Sequence, residues 1–296
     1  MKKTWHGASR GSALGNRIFM HLVRAGGPFC AYPLLAGVAC QYARCNKPFR
    51  DAVRALHVRL GAPARFRDYY AHAFAYGMGL VDGLAVHVRR QTPFRLRWEG
   101  RAYADEAFAR GRGLIILSAH IGNWEFAGRF LAAEVERKVN LVMLDEERAE
   151  IKAALRDATR RRNAAVIAMD DTGMNAVVEI RAALARNEIV CMLGDRSIDP
   201  RTSCAVDFLG APALFPNGPF AVAAITGASI LPTFTLKTGP RTYTIILHPS
   251  FVFSGTGRDS RESWMRESMR AYVRAFEGLV RRFPYQWGNF YDFWAR

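Results

Sequence analysis

Two textures of hydrophobic and polar positions divide the chain. From about residue 98 onward, short β-rich apolar runs alternate with longer stretches whose apolar residues recur at helical spacing. The short runs predict strands over 114–118, 140–144, 165–169, 189–193, 205–209, 229–236 and 242–248. The longer stretches predict helices over 124–138, 146–162, 174–186, 219–226 and 260–282. Strand–helix alternation argues an α/β domain with a largely parallel sheet flanked by helices. Thr238-Gly239-Pro240 between the last two strands reads as a hairpin, so the sheet is expected to be mixed.

Before residue 98 the pattern is helical and more apolar. Residues 25–43 carry no charge and are flanked by Arg24 and Arg44. That length suits a membrane span, but Gly26, Gly27, Pro28, Pro33 and Gly37 weaken a straight helix. The expectation is a segment lying in or on a membrane, with a buried core helix as the alternative. The apolar run starts too late and runs too long for a cleaved signal peptide. A second apolar stretch, 71–88, is interrupted by Asp82 and reads as a packing helix. The expected organisation is an N-terminal helical, membrane-associating region (1–97) attached to an α/β body (98–296).

Charge sharpens this division. The 296 residues carry a formal charge of +16. Residues 1–101 hold 17 Lys and Arg against four acids, and the remainder holds 25 against 22. A basic first third on a nearly neutral body points to an anionic partner, either nucleic acid or a membrane surface. No nucleic-acid-binding motif accompanies the charge, and it is interleaved with apolar runs, which favours an anionic membrane surface. Five scattered cysteines without a C-x-x-C pair suggest a reducing compartment and no structural zinc. Gly7–Gly11 fits G-x-S-x-G, but no strand precedes it. There is no P-loop, no G-x-G-x-x-G and no H-E-x-x-H, so no nucleotide cofactor and no metal is expected.

Three constellations could carry chemistry. In SAHIGNWE, His120 follows an apolar strand and Glu125 lies in the first turn of the next helix. Of the seven histidines, His120 alone has an acid five residues on. Ligands in open α/β sheets bind beyond the carboxyl ends of strands, where a His can face a crevice. An acid one turn on can fix its tautomer, as a general base acting on a hydroxyl requires. The plainer reading is a satisfied histidine at a strand end beside ordinary helix N-terminal charge. In LGDRSIDP, Asp195 and Arg196 also follow an apolar strand and could reach the same edge, or form a structural pair. At Phe215–Pro219, the Asn217-Gly218 turn leads into a small-residue helix whose N–H groups could face an oxyanion. Asn123, within the His120 block, is a further candidate for substrate or oxyanion contact.

SAHIGNWE, a strand ending in Asp about seventy residues later, then FLG, a Pro/Gly turn and TGASILP together resemble the lipid A late acyltransferase family. This is the lauroyl/myristoyl-transferase-like branch of the lysophospholipid acyltransferase superfamily. GNRIFMHLVRAGGPFCAYPLL and FPYQWGNFYDFW resemble that family's ends, so the likeness covers nearly the whole chain. The resemblance implies a glycerol-phosphate-acyltransferase-like fold with His120 and Glu125 as the catalytic pair. It also implies acyl transfer from an acyl carrier protein or acyl-CoA thioester to a lipid hydroxyl, at the cytoplasmic face of the inner membrane, without a cofactor. Arg196 stands where many members have Gln, and FPNGP where they tend to have Thr-containing variants. The acceptor therefore stays open between a lipid A-like glycolipid and an aryl-polyene-type or lysophospholipid acceptor. A hydrolase using the same His and a non-catalytic lipid- or nucleic-acid-binding protein are the rival classes.

Overall fold

The computed structural model describes residues 13–88, 93–124, 137–144, 164–169, 174–197 and 199–294. Four helices lead: α1 (Ala13–Gly26), α2 (Pro28–Cys45), α3 (Lys47–Arg59) and α4 (Phe66–Val88). Then come β1 (Arg95–Glu99), α5 (Arg101–Ala109), β2 (Leu114–Ser118), β3 (Val139–Leu144) and β4 (Ala164–Met169). The chain continues through α6 (Met174–Ala185), β5 (Ile189–Leu193), β6 (Ser203–Phe208) and β7 (Ala211–Pro216). It closes with α7 (Gly218–Thr226), β8 (Ser229–Gly239), β9 (Thr242–Leu247) and α8 (Arg258–Arg282).

Seven strands form one sheet in the order β1-β9-β8-β2-β5-β3-β4, and all neighbours are parallel except β8 with β9. The mixed, largely parallel sheet and the closing hairpin are those the sequence predicts. β2 is buried at every position, as a central strand covered on both faces must be. β6 and β7 form a separate antiparallel hairpin. The sequence predicts its first strand but not its second. β1 and α5 are also unanticipated. β1 alternates exposed Arg95 and Arg97 with partly covered Leu96 and Trp98, so it reads as polar surface until its pairing with β9 is known. The sheet therefore begins at residue 95, and β1 straddles the boundary expected at residue 97. The helix expected over 124–138 starts at Trp124 and then leaves the described residues, and 146–162 lies outside them.

One amphipathic helix closes the sheet's main core. α8 buries Ser268, Met269, Tyr272, Val273, Phe276, Leu279 and Val280, a single stripe at helical spacing. Phe276 stacks on Phe208 and on Phe234 and meets Trp287 edge-on.

The uncharged segment at 25–43 mostly becomes α2, with Pro28 at its first position and Pro33 inside the helix. Ala31, Leu35, Ala39 and Ala43 face inward, in cores shared with α4, while Leu34 and Val38 face out. Among the described residues no helix is long and apolar enough to cross a membrane. Asp82, which interrupts the second apolar stretch, is fully buried. It accepts from the Tyr32 and Tyr243 hydroxyls and from Lys237 Nζ, itself set against the faces of Tyr32, Phe94 and Tyr243. A buried carboxylate persists only where such donors replace water. Here they tie α2 and α4 to β8 and β9.

Candidate active site

The register of two neighbouring strands builds the site. β2 and β5 run parallel with Ser118 opposite Leu193, and Gly194 N–H extends the ladder by donating to Ser118 O. Each strand then runs two residues past this pair, to His120 on one side and Asp195 on the other. Both emerge at the carboxyl edge of the sheet's centre, where open α/β sheets hold their ligands.

There His120 Nδ1 lies 2.7 Å from Asp195 Oδ1. Asp195 is 1% exposed, while the His120 side chain keeps about a quarter of its surface open at 24%. The second carboxylate oxygen, Oδ2, accepts from Trp287 Nε1–H at 3.2 Å. Burial opposes ionisation of Asp195. The charge and hydrogen bond of His120, the charge of Arg196 and the Trp287 bond outweigh it and hold the carboxyl down to about 2. Burial pushes His120 below its ordinary 6.5; Asp195 pulls the other way, and the charge of Arg196 adds to the lowering. At neutral pH the pair is therefore a neutral imidazole against a carboxylate. A carboxylate only accepts, so Nδ1 carries the proton and Nε2 keeps its lone pair.

Backbone bonds fix the loop that carries His120. Gly288 N–H donates to His120 O at 2.7 Å, Gly122 N–H to Gln286 O and Asn123 N–H to Thr235 O, each at 2.8 Å. Gly122 has φ +67°, and a Cβ there would sit 2.0 Å from Thr235 O. Gly122→Ala should thus cost about 2–4 kcal/mol from the left-handed backbone and the clash together. Urea denaturation measures it, and a loss below about 0.5 kcal/mol would show that the loop is free to move.

The remaining candidates fall in distinct places. Arg196 donates to Gly288 O at 3.0 Å, lies over the Tyr291 ring, and places its charge against both His120 and Asp195. The Asn123 side chain is buried and donates to Gly79 O of α4 at 2.9 Å, which gives that amide a positioning task. Asn217 and Gly218 stand at the head of α7. Asn217 Oδ1 is buried without a hydrogen-bond partner among the described residues, and neither residue bonds to His120 or Asp195 there. Glu125 lies outside the described residues. The sequence reading sets Glu125 against the imidazole; among the described residues the carboxylate at Nδ1 belongs to Asp195.

Sequence reasoning assigned nothing to Trp287 or Tyr272. Tyr272 donates to Ser118 O at 2.8 Å and so braces the end of β2. The aromatic density of FPYQWGNFYDFW was the available signal for Trp287; no local signal singles out Tyr272 from the rest of its helix stripe.

Comparison with known proteins gives two results. Residues 71–296 match the model of the family described as bacterial lipid A biosynthesis acyltransferase. The chain is also similar to phosphatidylinositol mannoside acyltransferase from two Mycobacterium tuberculosis strains, H37Rv and CDC 1551. Each match is 30% identical over 136 residues, covering 45% of this chain and 42% of the relative. The chain thus aligns with less than half the length of these curated relatives.

Proposed function

Since the chain belongs to the bacterial lipid A biosynthesis acyltransferase family, we propose that it moves a fatty acyl group from a thioester to a hydroxyl of a glycolipid. The observation that carries this reading is the 2.7 Å pairing of His120 Nδ1 with buried Asp195, which leaves Nε2 unprotonated on a partly open ring. Nε2 takes the proton of the acceptor hydroxyl as its oxygen attacks the thioester carbonyl. The tetrahedral intermediate collapses to the ester and expels the thiolate, which receives the proton back from Nε2. Asp195 stabilises the imidazolium formed between these steps. Arg196, beside the pair, is the first candidate to meet the oxyanion, and the Asn217-Gly218 turn the second; such contacts are worth roughly 3 kcal/mol per donor. Glu125, one turn beyond His120, remains a proposed second carboxylate of the same site. The chemistry asks nothing of a metal or cofactor.

The family's name points to a lipid A-like acceptor and the relatives' name to a phosphatidylinositol mannoside. Both present sugar hydroxyls on a lipid anchor, and that is the acceptor class proposed here. The donor is an acyl carrier protein or coenzyme A thioester. Attachment to the cytoplasmic face of the inner membrane fits α1 and α2, which expose Leu14, Ile18, Leu34 and Val38 along with Arg17, Arg24 and Arg44. Exposed apolar and basic side chains on one helix suit an anionic bilayer surface.

Incubating the protein with an acyl thioester, with and without a glycolipid acceptor, tests the reading. Ester formation that depends on the acceptor supports it; free acid released at the same rate in both would mean a hydrolase. The pH profile gives a further check. The base must be neutral and its pKa is lowered, so kcat/KM should rise through a limb below 6.5 and then level off. A limb above 6.5 would mean that His120 is not the titrating group.

A further inference from the structure

We propose that Trp287 is a positioning residue of this site: its indole N–H holds the Asp195 carboxylate in the rotation that presents Oδ1 to His120. The inference rests on the catalytic reading of His120 and Asp195 and assigns a task to a residue that reading leaves idle.

Three observations place Trp287 there. First, Asp195 is buried, so water has little access to its carboxylate, and Oδ2 takes a hydrogen bond from Trp287 Nε1 at 3.2 Å while Oδ1 faces His120. Second, the indole cannot turn away. Trp287 is 1% exposed and is met edge-on by Phe208, Phe276 and Phe293, with centroids 5.5, 5.6 and 5.0 Å away. Third, the same short segment holds the histidine's backbone. Trp287 bridges Ile121 in antiparallel fashion, and its two neighbours accept from Gly122 and donate to His120 O. One rigid strap thus sets the main chain of the base and the side chain of its partner together. Gly288 permits this approach, since a Cβ there would already stand 3.3 Å from His120 O.

The chemical consequence has a definite sign. A donor on Oδ2 draws negative charge from the carboxylate and lowers its basicity. Removing it leaves a more basic carboxylate that binds the imidazolium more tightly, so His120 titrates at higher pH. The freed carboxyl can also rotate away from the productive geometry, which lowers kcat more than it raises KM.

Trp287→Phe keeps an aromatic ring in the slot and deletes the N–H. Histidine ring 15N NMR of the full chain reports the His120 titration without any substrate. We expect the His120 midpoint to rise by about 0.5–1 pH unit in W287F. In the transfer assay kcat should fall about tenfold with KM within about twofold, and the acid limb should move up with the NMR midpoint. A folded W287F whose His120 titrates as in the wild type overturns the proposal. If the midpoint moves while no protein, wild type included, transfers acyl groups, the positioning role stands and the acyltransferase reading fails. If W287F does not fold, the indole N–H resonance of Trp287 is followed instead, in the wild type and in Asp195→Asn. An upfield move in the variant supports the bond to an ionised carboxylate, and an unchanged resonance overturns it.

Discussion

His120→Ala is expected to remove acyl transfer, with kcat falling by roughly 10²–10⁴-fold or more, the range that a positioned general base contributes. The hydroxyl of a sugar is a poor nucleophile at neutral pH, and His120 is the histidine that the structure hydrogen-bonds to a buried carboxylate. His57 and His72 pair with each other between α3 and α4 at 3.2 Å. His248 follows β9 and meets Phe234 instead. The fold should persist, because among the described residues the His120 ring makes one side-chain hydrogen bond, and it lies partly at the surface. The variant leaves Asp195 buried with one partner fewer, so a loss of about 1–3 kcal/mol is expected. Initial rates of acceptor-dependent ester formation, read alongside far-UV circular dichroism, separate the two effects. A folded variant with wild-type turnover would remove His120 from the mechanism.

Asp195→Asn is expected to be nearly as damaging, by about 10³-fold in kcat, although it changes neither size nor shape. The asparagine Oδ1 can still accept from Trp287, and its amide then turns an N–H toward His120 Nδ1. That donor favours the tautomer with the proton on Nε2, the atom that must accept one. The same substitution removes the negative charge that stabilises the imidazolium, so KM should change less than kcat. The wild-type carboxyl is held down at about 2 against an ordinary 3.8, so its contribution is present above pH 3.8 and is lost as pH falls toward 2. Asp195→Asn should flatten that part of the acid denaturation curve. Glu125→Ala is the comparison that divides the labour between the two acids. A smaller loss than Asp195→Asn leaves Asp195 as the main orienting carboxylate. A D195N enzyme of near wild-type rate beside an inactive E125A would reverse the assignment.

The parts of the site that were legible share one property: their signal is local. A fully apolar LIILS run followed by Ala-His needs no tertiary knowledge to read as a buried strand delivering a polar residue at its end. IVCML followed by Gly-Asp-Arg reads the same way. What could not be read was that Asp195 would meet the imidazole. Glu125 is five residues from His120 and Asp195 is seventy-five, so spacing favours the first. Strand register brings in the second, because a parallel ladder pairing Ser118 with Leu193 sets the two second-next residues side by side; Glu125 lies outside the described residues. The buried Asp82 is a similar case. Within its own helix it breaks an apolar pattern, and only Lys237, Tyr32 and Tyr243, brought from other elements, explain it.

By itself the sequence determined the α/β class, most strand positions and their mixed sheet, the basic apolar character of the first hundred residues, and His120 as the polar residue delivered at the end of a buried strand. These follow from periodicity, charge and short motifs, which are properties of neighbouring residues. The tertiary structure decided the pairing of His120 with Asp195, the strap of Gln286–Gly288 across the loop, and the tying of α2 and α4 to the sheet. Each joins residues tens to more than two hundred positions apart. Such contacts depend on the order and register in which strands pack, and the local pattern of a chain does not encode that order.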